Sequence, residues 1–164
     1  MEASQITLVV SLVTALIGVA AFVVGYSQMK IASAKTKLDL YNKRFGVYLA
    51  ALEYYQDIHS EVKDILKARA NKFIHAFRES KFLFDAKDGI YEILDRVQKN
   101  GVVVRAHEEF RQNPNPNTDS ELGWRLHNNS LVAHSEMGKD ILKLEDQLKD
   151  YLSFHNVTGW KLFK

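Results

Sequence analysis

The sequence predicts an all-α protein, in which a single N-terminal transmembrane helix is continuous with a cytosolic antiparallel bundle of three or four helices. Residues 6–26 are one apolar run without a charged side chain, and a helix needs about 20 such residues to cross a bilayer. Beyond this run, apolar residues recur at steps of three and four, which is the period of amphipathic helices. Both prolines fall in one short stretch, so the rest of the chain has no proline to interrupt a helix. We divide the chain into an anchor (1–29), a helical bundle (30–158) and an aromatic and basic tail (159–164).

The composition argues against several classes of function. The chain has no cysteine, which removes disulfides, zinc–thiolate sites and thiol nucleophiles. Its net charge of +2 is too small to indicate binding to nucleic acid. It also lacks a glycine-rich phosphate loop and a G-x-S-x-G nucleophile motif. We therefore predict that the protein is not an enzyme and has no catalytic residues, metal, cofactor or small-molecule substrate.

Small and weakly polar residues follow one line along the predicted membrane span. Their steps alternate between four and three, which keeps them on one face of a helix. In lipid, small residues let two helix backbones approach closely, and hydroxyl groups can bond across the contact. We predict that this association face binds a second copy or another membrane protein; the alternative is that the alignment arises by chance. The association face consists of Thr7, Ser11, Thr14, Gly18, Ala21 and Gly25.

Basic residues follow the span and predict its orientation. Glu2 is the only charged residue before Lys30, and lysine and arginine concentrate on the cytoplasmic side of membrane helices. We expect the N-terminus outside and the helical domain in the cytoplasm. A cleaved signal peptide is the alternative, but such a signal starts with basic residues and has a shorter apolar core. The bases are also expected to contact anionic membrane lipid; they are Lys30, Lys35, Lys37, Lys43 and Arg44.

A second apolar pattern, which we call the seam, predicts a long helix after the anchor. Its aromatic face is expected to be buried in the bundle, and a parallel coiled coil that continues the association face is the alternative. The steps of the association face lead to Asp39 and Asn42, one residue out of phase with the seam, so a continuous interface would need a stutter. The pattern of the seam predicts no break before its last residue. The position at which the first helix turns is left open, and it is near residue 60, near residue 70 or not before residue 84. The seam consists of Leu38, Tyr41, Phe45, Tyr48, Leu52, Tyr55, Val62 and Leu66.

Three further helices are expected, at residues 67–84, after Asp85, and from residue 120 to about 154. Asp85 is placed to accept hydrogen bonds from the free backbone N–H groups of a helix start. Asn100-Gly101 is typical of a helix end. However, the apolar stripe continues through Val104, so we predict helix to about Gln112. The loop at 113–119 contains both prolines.

The histidines do not form a recognisable metal motif. His107-Glu108 does not begin an H-E-x-x-H sequence. His127 and His134 share a helix face, but their spacing is too wide for a usual ligand pair. We interpret His59, which falls between Tyr55 and Val62 at the spacing of the seam, as a partly buried polar residue, with a pH-sensing role as the alternative.

The tail alternates aromatic or apolar residues with lysine. Trp160 and Phe163 are candidates for a second anchor at the membrane interface, where aromatic side chains concentrate. The alternatives are that these residues pack on the bundle or that the tail is frayed.

Two stretches combine aromatic and charged residues, KLDLYNKRFGVY at 37–48 and FRESKFLFDAKDGIYEIL at 77–94. Through them the chain resembles uncharacterised bacterial proteins with one N-terminal membrane helix and a cytosolic helical domain. The resemblance implies the bacterial inner (cytoplasmic) membrane as the location, and it implies no reaction. We predict a non-enzymatic interaction or scaffold protein that self-associates, as a homo-oligomer, or holds a partner at this membrane. The alternative is a membrane-perturbing effector of a bacterial stress or antiphage defence system.

Overall fold

A computed structural model describes residues 3–60, 63–112 and 120–153 of the chain. Over these residues the chain is all-helical, as predicted, and the first helix contains the apolar run. A 3-10 turn at Ala86–Asp88 separates the second helix from the third. The helices are α1 (Ala3–Asp57), α2 (Lys63–Leu83), α3 (Ile90–Gln112) and α4 (Ser120–Leu148).

The described chain divides into two units after Asp39. The first unit holds the apolar part of α1, and the second extends from Leu40 to Ser153. Among the described residues of α1, side chains become buried only from Val47 onward.

All four helices contribute side chains to the core of the second unit. The rings of Tyr54 and Phe73 stack at 4.8 Å between α1 and α2, and those of Phe77 and Tyr91 stack at 4.6 Å between α2 and α3. The most completely buried large side chains include Ile58, Phe73, Ile90, Leu94, Val97, Val104, Met137, Leu144 and Leu148. This unit therefore has an apolar core of its own.

The end of α1 corrects one prediction about the seam. We expected the seam to stay in one helix as far as Leu66, but α1 ends at Asp57 and Leu66 lies in α2. The backbone N–H of Ser60 bonds to the carbonyl of Asp57 at 2.9 Å, which closes a turn there. Of the three places that we left open, the chain turns near residue 60. Apolar spacing does not reveal this turn, because α2 resumes a similar pattern of steps three and four.

The start of α3 differs from the prediction, whereas its end agrees with it. Asp85 does act as a cap, since its Oδ1 accepts from the N–H of Lys87 at 3.2 Å, but it caps the 3-10 turn. Gly89 ends this turn with φ of +67°, a left-handed conformation that glycine adopts at little cost. Helix α3 then begins at Ile90 and continues through Gly101 to Gln112, as expected. Helix α4 ends at Leu148, earlier than the predicted residue 154.

Candidate functional site

The apolar run forms a helix whose side chains are uncovered within the described chain. Leu8, Ile17 and Phe22 are 68%, 64% and 72% exposed. This is the one described helix that is long and apolar enough to cross a membrane, and none of its most apolar window is buried. Core helices of soluble proteins have a similar composition, but they are mostly buried. The run is therefore a candidate membrane interface.

The hydroxyl groups on the association face bond to their own helix. Ser11 donates to the carbonyl of Thr7 at 2.9 Å, and Thr14 donates to that of Val10 at 2.8 Å. This is the usual way in which serine and threonine satisfy their hydroxyl groups within a helix. Contact between two such helices would therefore depend on close packing rather than on hydrogen bonds donated by these groups.

The glycines of the association face lie in open space. A methyl group built on Gly18 or Gly25 would meet no described atom within 4 Å, apart from the local backbone. A larger side chain at either position therefore has nothing to clash with inside this chain. Any loss of assembly that such a substitution causes would report a contact with another molecule.

The bases after the run fall into two groups. Lys30, Lys35 and Lys43 are exposed, and Lys37 is partly covered. The ammonium group of Lys30 lies 5.0 Å from the ring centroid of Tyr26. Arg44 is different, because its guanidinium is held by other parts of the second unit.

Arg44 forms the centre of a group of contacts that we call the clasp, made by Arg44, Leu83, Phe84, Asp85, Asp88 and Tyr151. The Nε of Arg44 donates to the carbonyl of Leu83 at 3.0 Å. Its guanidinium lies 4.5 Å from the ring centroid of Tyr151 and 5.9 Å from that of Phe84. Burial lowers the pKa of Arg44, and the nearby Tyr151 partly offsets this effect. The prediction assigned Arg44 to lipid, whereas here it ties α1 to the ends of α2 and α4.

Tyr151 links the clasp to the 3-10 turn. Its hydroxyl donates to Asp88 and accepts from the backbone N–H of Asp85. Burial and the bond to Asp88 raise the pKa of Tyr151. The Phe84-Asp85 part of the second stretch quoted above is therefore occupied with holding helix ends together.

The seam borders the core but does not form its centre. Tyr48, Leu52 and Tyr55 pack against the core while they stay partly exposed, and Leu38 and Phe45 are exposed. Tyr41 and Leu66 are partly covered. Val62, Trp160 and Phe163 lie outside the described residues. The most deeply buried residues of α1 are instead Val47, Ala50, Ala51 and Tyr54, and Ile58, just after the helix, is also buried.

Tyrosines of α1 pack on glycines of two neighbouring helices. A methyl group built on Gly101 of α3 would lie 2.7 Å from Cε1 of Tyr54, and closer still to its hydroxyl oxygen. A methyl group on Gly138 of α4 would lie 3.0 Å from the hydroxyl oxygen of Tyr55. The sequence offered a helix-end signal at Asn100-Gly101, but this glycine makes room for a ring.

An ion pair between α3 and α4, in which the carboxylate is buried, escaped the sequence analysis. The Nη2 of Arg96 donates to Oδ1 of Asp140 at 2.8 Å, and the carboxylate side chain is only 4% exposed. The hydrogen bond to Asp140 raises the pKa of Arg96. Arg96 and Asp140 are two of many charged residues on these helices, and nothing in the sequence shows that they pair.

The described residues contain no group of three or more side chains placed to hold a metal ion. A cavity of about 630 Å³ lies between α2 and α3, lined partly by Leu66, Ala70, Ile74, Arg105 and Glu108.

Comparison of the chain with protein-family models, curated proteins and solved structures finds no match.

Proposed function

We propose that the chain is a non-enzymatic scaffold anchored in the bacterial inner membrane, with its N-terminus outside and its helical domain in the cytoplasm. One observation carries this proposal: the apolar run is an uncovered helix, while Leu40–Ser153 has a core of its own. The run is therefore not needed to complete the folded domain. A surface of this size and polarity is rarely left in contact with water, and lipid is the cover that matches a helix of this length.

The second unit supports a bundle as the cytosolic part. Between α1 and α2, the carboxylates of Glu53 and Asp57 both pair with Arg69. Farther toward the N-terminus of α1, the clasp reaches the end of α2. Residues near the end of α1 therefore contact the first half of α2, and an earlier residue of α1 contacts the end of α2. This is the arrangement of antiparallel neighbours. We infer an antiparallel bundle of four helices that is continuous with the anchor, because α1 has no assigned break between Ala3 and Asp57.

The proposed orientation uses the four lysines that follow the run for lipid contact. Lys30, Lys35, Lys37 and Lys43 would each contribute about 1 kcal/mol next to an anionic membrane surface. Arg44 is left out of this set because its guanidinium is engaged in the clasp. Replacing these lysines with glutamine should therefore reduce the amount of anionic lipid that co-purifies with the protein, whereas replacing Arg44 should act mainly on stability.

We propose further that the association face mediates self-association through close backbone approach. The open space at Gly18 and Gly25 supports this, because small residues at an uncovered position create a flat surface for a second helix. A partner protein could use the same face. Co-purification of differently tagged copies distinguishes these two outcomes.

The test is cysteine cross-linking in membranes, which is clean because the natural chain has no cysteine. We expect Ser11→Cys and Gly25→Cys to cross-link copies, and Gly18→Leu to abolish the product without changing the amount of protein. Ile17→Leu is the matched control, since it places the same side chain on another face. Equal cross-linking from Leu12→Cys or Ile17→Cys would contradict the association face.

Forced expression separates the scaffold from the membrane-perturbing effector. A scaffold should leave the membrane potential unchanged, which a potential-sensitive dye measures. Depolarisation that Gly18→Leu abolishes would replace the scaffold with the effector.

A further inference from the structure

Side chains from two segments, the turn after α1 and helix α3, meet around the carboxylate of Glu108. The Nδ1 atom of His59, just after α1, lies 3.2 Å from Oε1 of Glu108, and Nδ1 of His107 lies 3.8 Å from the same oxygen. Arg111 donates to the other oxygen at 2.9 Å. The side chain of Glu108 is only 12% exposed. One largely buried carboxylate therefore faces one permanent cation and two histidines.

Two histidines of α4 extend this group. The ring of His134 meets that of His59 edge to face at a centroid distance of 4.6 Å, and the rings of His107 and His127 lie 5.3 Å apart. The ring of His134 also stacks on Tyr55 at 4.8 Å. We call this group the histidine cluster; it consists of His59, His107, Glu108, His127 and His134.

Charge in the cluster is balanced only while most of the histidines are neutral. Arg111 already offsets the charge of Glu108. Burial opposes the ionisation of Glu108, but hydrogen bonds from His59 and Arg111 hold its pKa below the usual range. Each added proton on a histidine therefore adds net positive charge. In addition, the buried Nδ1 atom of His107 has no hydrogen-bond partner among the described residues.

Charged groups on all three segments have partners of opposite charge, and on α4 Glu136 bonds to Lys139 at 2.6 Å. Asp57 of α1 bonds to Arg69 of α2 at 2.9 Å. Arg105 of α3 lies 3.6 Å from Glu109, which is also on α3. These carboxylates are already matched with cations. They are therefore poorly placed to balance charge on the histidines.

We propose that the histidine cluster is an acid-sensitive switch, in which protonation of its histidines opens the contact between the end of α1 and α4. A second proton on the pair of His59 and His134 puts two like charges within about 5 Å in a partly buried site, where repulsion is stronger than in water. The contact between the end of α1 and α4 is made here by the rings of Tyr55, His59 and His134. The inference does not depend on the proposed membrane role.

The direction of the pH effect follows from His134. Burial, and then the charge of His59, lower the pKa of His134 from its ordinary value of 6.5. The folded form therefore binds fewer protons than an opened form, and stability falls as the pH drops below about 6.5. Above that pH both forms are neutral at this ring, and the contact is at full strength.

The test measures one distance across this contact in the full-length chain in lipid nanodiscs. Spin labels are attached to cysteines introduced at Gln56 of α1 and Ser135 of α4, both of which are exposed. Double electron–electron resonance spectroscopy gives the distribution of distances between the two labels at pH values from 8 to 5, the range in which histidine changes charge. We expect one distance at pH 8 and a growing fraction of longer distances below about pH 6.5. A distribution that does not change with pH would overturn the proposal.

Variants assign the response to the cluster. His134→Phe keeps a ring for Tyr55 but cannot take a proton, so the longer distances should be lost. His59→Asn is the second variant, at a side chain that is 46% exposed and so tolerant of change; it should reduce the longer fraction. His75→Asn, on the exposed face of α2, should respond as the natural chain does. A native response in both cluster variants, or its loss in His75→Asn, would refute the switch.

Discussion

The contact of Tyr54 with Gly101 predicts that one substitution has different effects at two glycines. Gly101→Ala puts a methyl group 2.7 Å from Cε1 of Tyr54, inside van der Waals contact. Tyr54 is 3% exposed and its ring stacks on Phe73, so it has little freedom to move away. Gly46→Ala is the matched control, because its methyl group would meet nothing within 4 Å.

The expected size follows from two opposing contributions. Glycine to alanine in a helix interior stabilises by about 1 kcal/mol, and this gain is available at both positions. Overpacking in a core costs about 1–3 kcal/mol, and this cost applies only at Gly101. We therefore expect Gly46→Ala to stabilise the helical domain by about 1 kcal/mol. We expect the free energy of unfolding of Gly101→Ala to be about 1–3 kcal/mol lower than that of the Gly46→Ala control.

Urea unfolding of the full chain in detergent, followed by far-ultraviolet circular dichroism, measures both free energies. In a thermal experiment, 1 kcal/mol corresponds to a shift in Tm of about 4–8 °C for a domain near this size. Gly101→Ala in a Tyr54→Leu background should lose most of its cost, since the ring is gone. Equal stabilisation by Gly46→Ala and Gly101→Ala would refute the close packing of Tyr54 on α3.

Further predictions concern polar contacts. Tyr151→Phe keeps a ring beside Arg44 but removes the hydroxyl, so it should cost about 1–2 kcal/mol in the free energy of unfolding; no loss would refute the hydrogen bonds of the clasp. Arg96→Gln leaves the buried carboxylate of Asp140 without its main cation and should cost about 1–3 kcal/mol, whereas Lys99→Gln, at an exposed pair, should cost under about 1 kcal/mol. The hydrogen bond from the Tyr48 hydroxyl to Glu145 of α4, together with burial, raises the pKa of Tyr48 from 10.0 to about 12. Stability from this hydroxyl is present below pH 10 and is lost as the pH rises toward 12, so Tyr48→Phe should flatten the alkaline part of a stability profile; an unchanged profile would contradict the bond.

The periodic and local signals in the sequence were sufficient for the type and extent of several elements. The apolar run is helical, α3 ends at Gln112, and α4 begins at Ser120. Asp85 caps a helical turn because its short carboxylate reaches free backbone N–H groups, and this depends only on residues nearby in the chain. Such features need no knowledge of distant partners.

The tertiary structure decided which face of α1 is most deeply buried and what each polar residue does. The seam marks large apolar residues, yet the innermost positions include Ala50 and Ala51, which are small and allow the neighbouring helices to approach. Arg44 follows the lysines in sequence but bonds to Leu83. Its role depends on a helix end that lies far along the chain.

By itself, the sequence determined that the chain is helical and that one helix is apolar enough to cross a membrane, because both properties come from neighbours within a few turns. Only the tertiary structure brought the histidines around Glu108, fitted Tyr54 against Gly101 and paired Arg96 with Asp140. These contacts join residues from different helices. The period of a helix shows which residues share a face, but it does not show which neighbour covers that face.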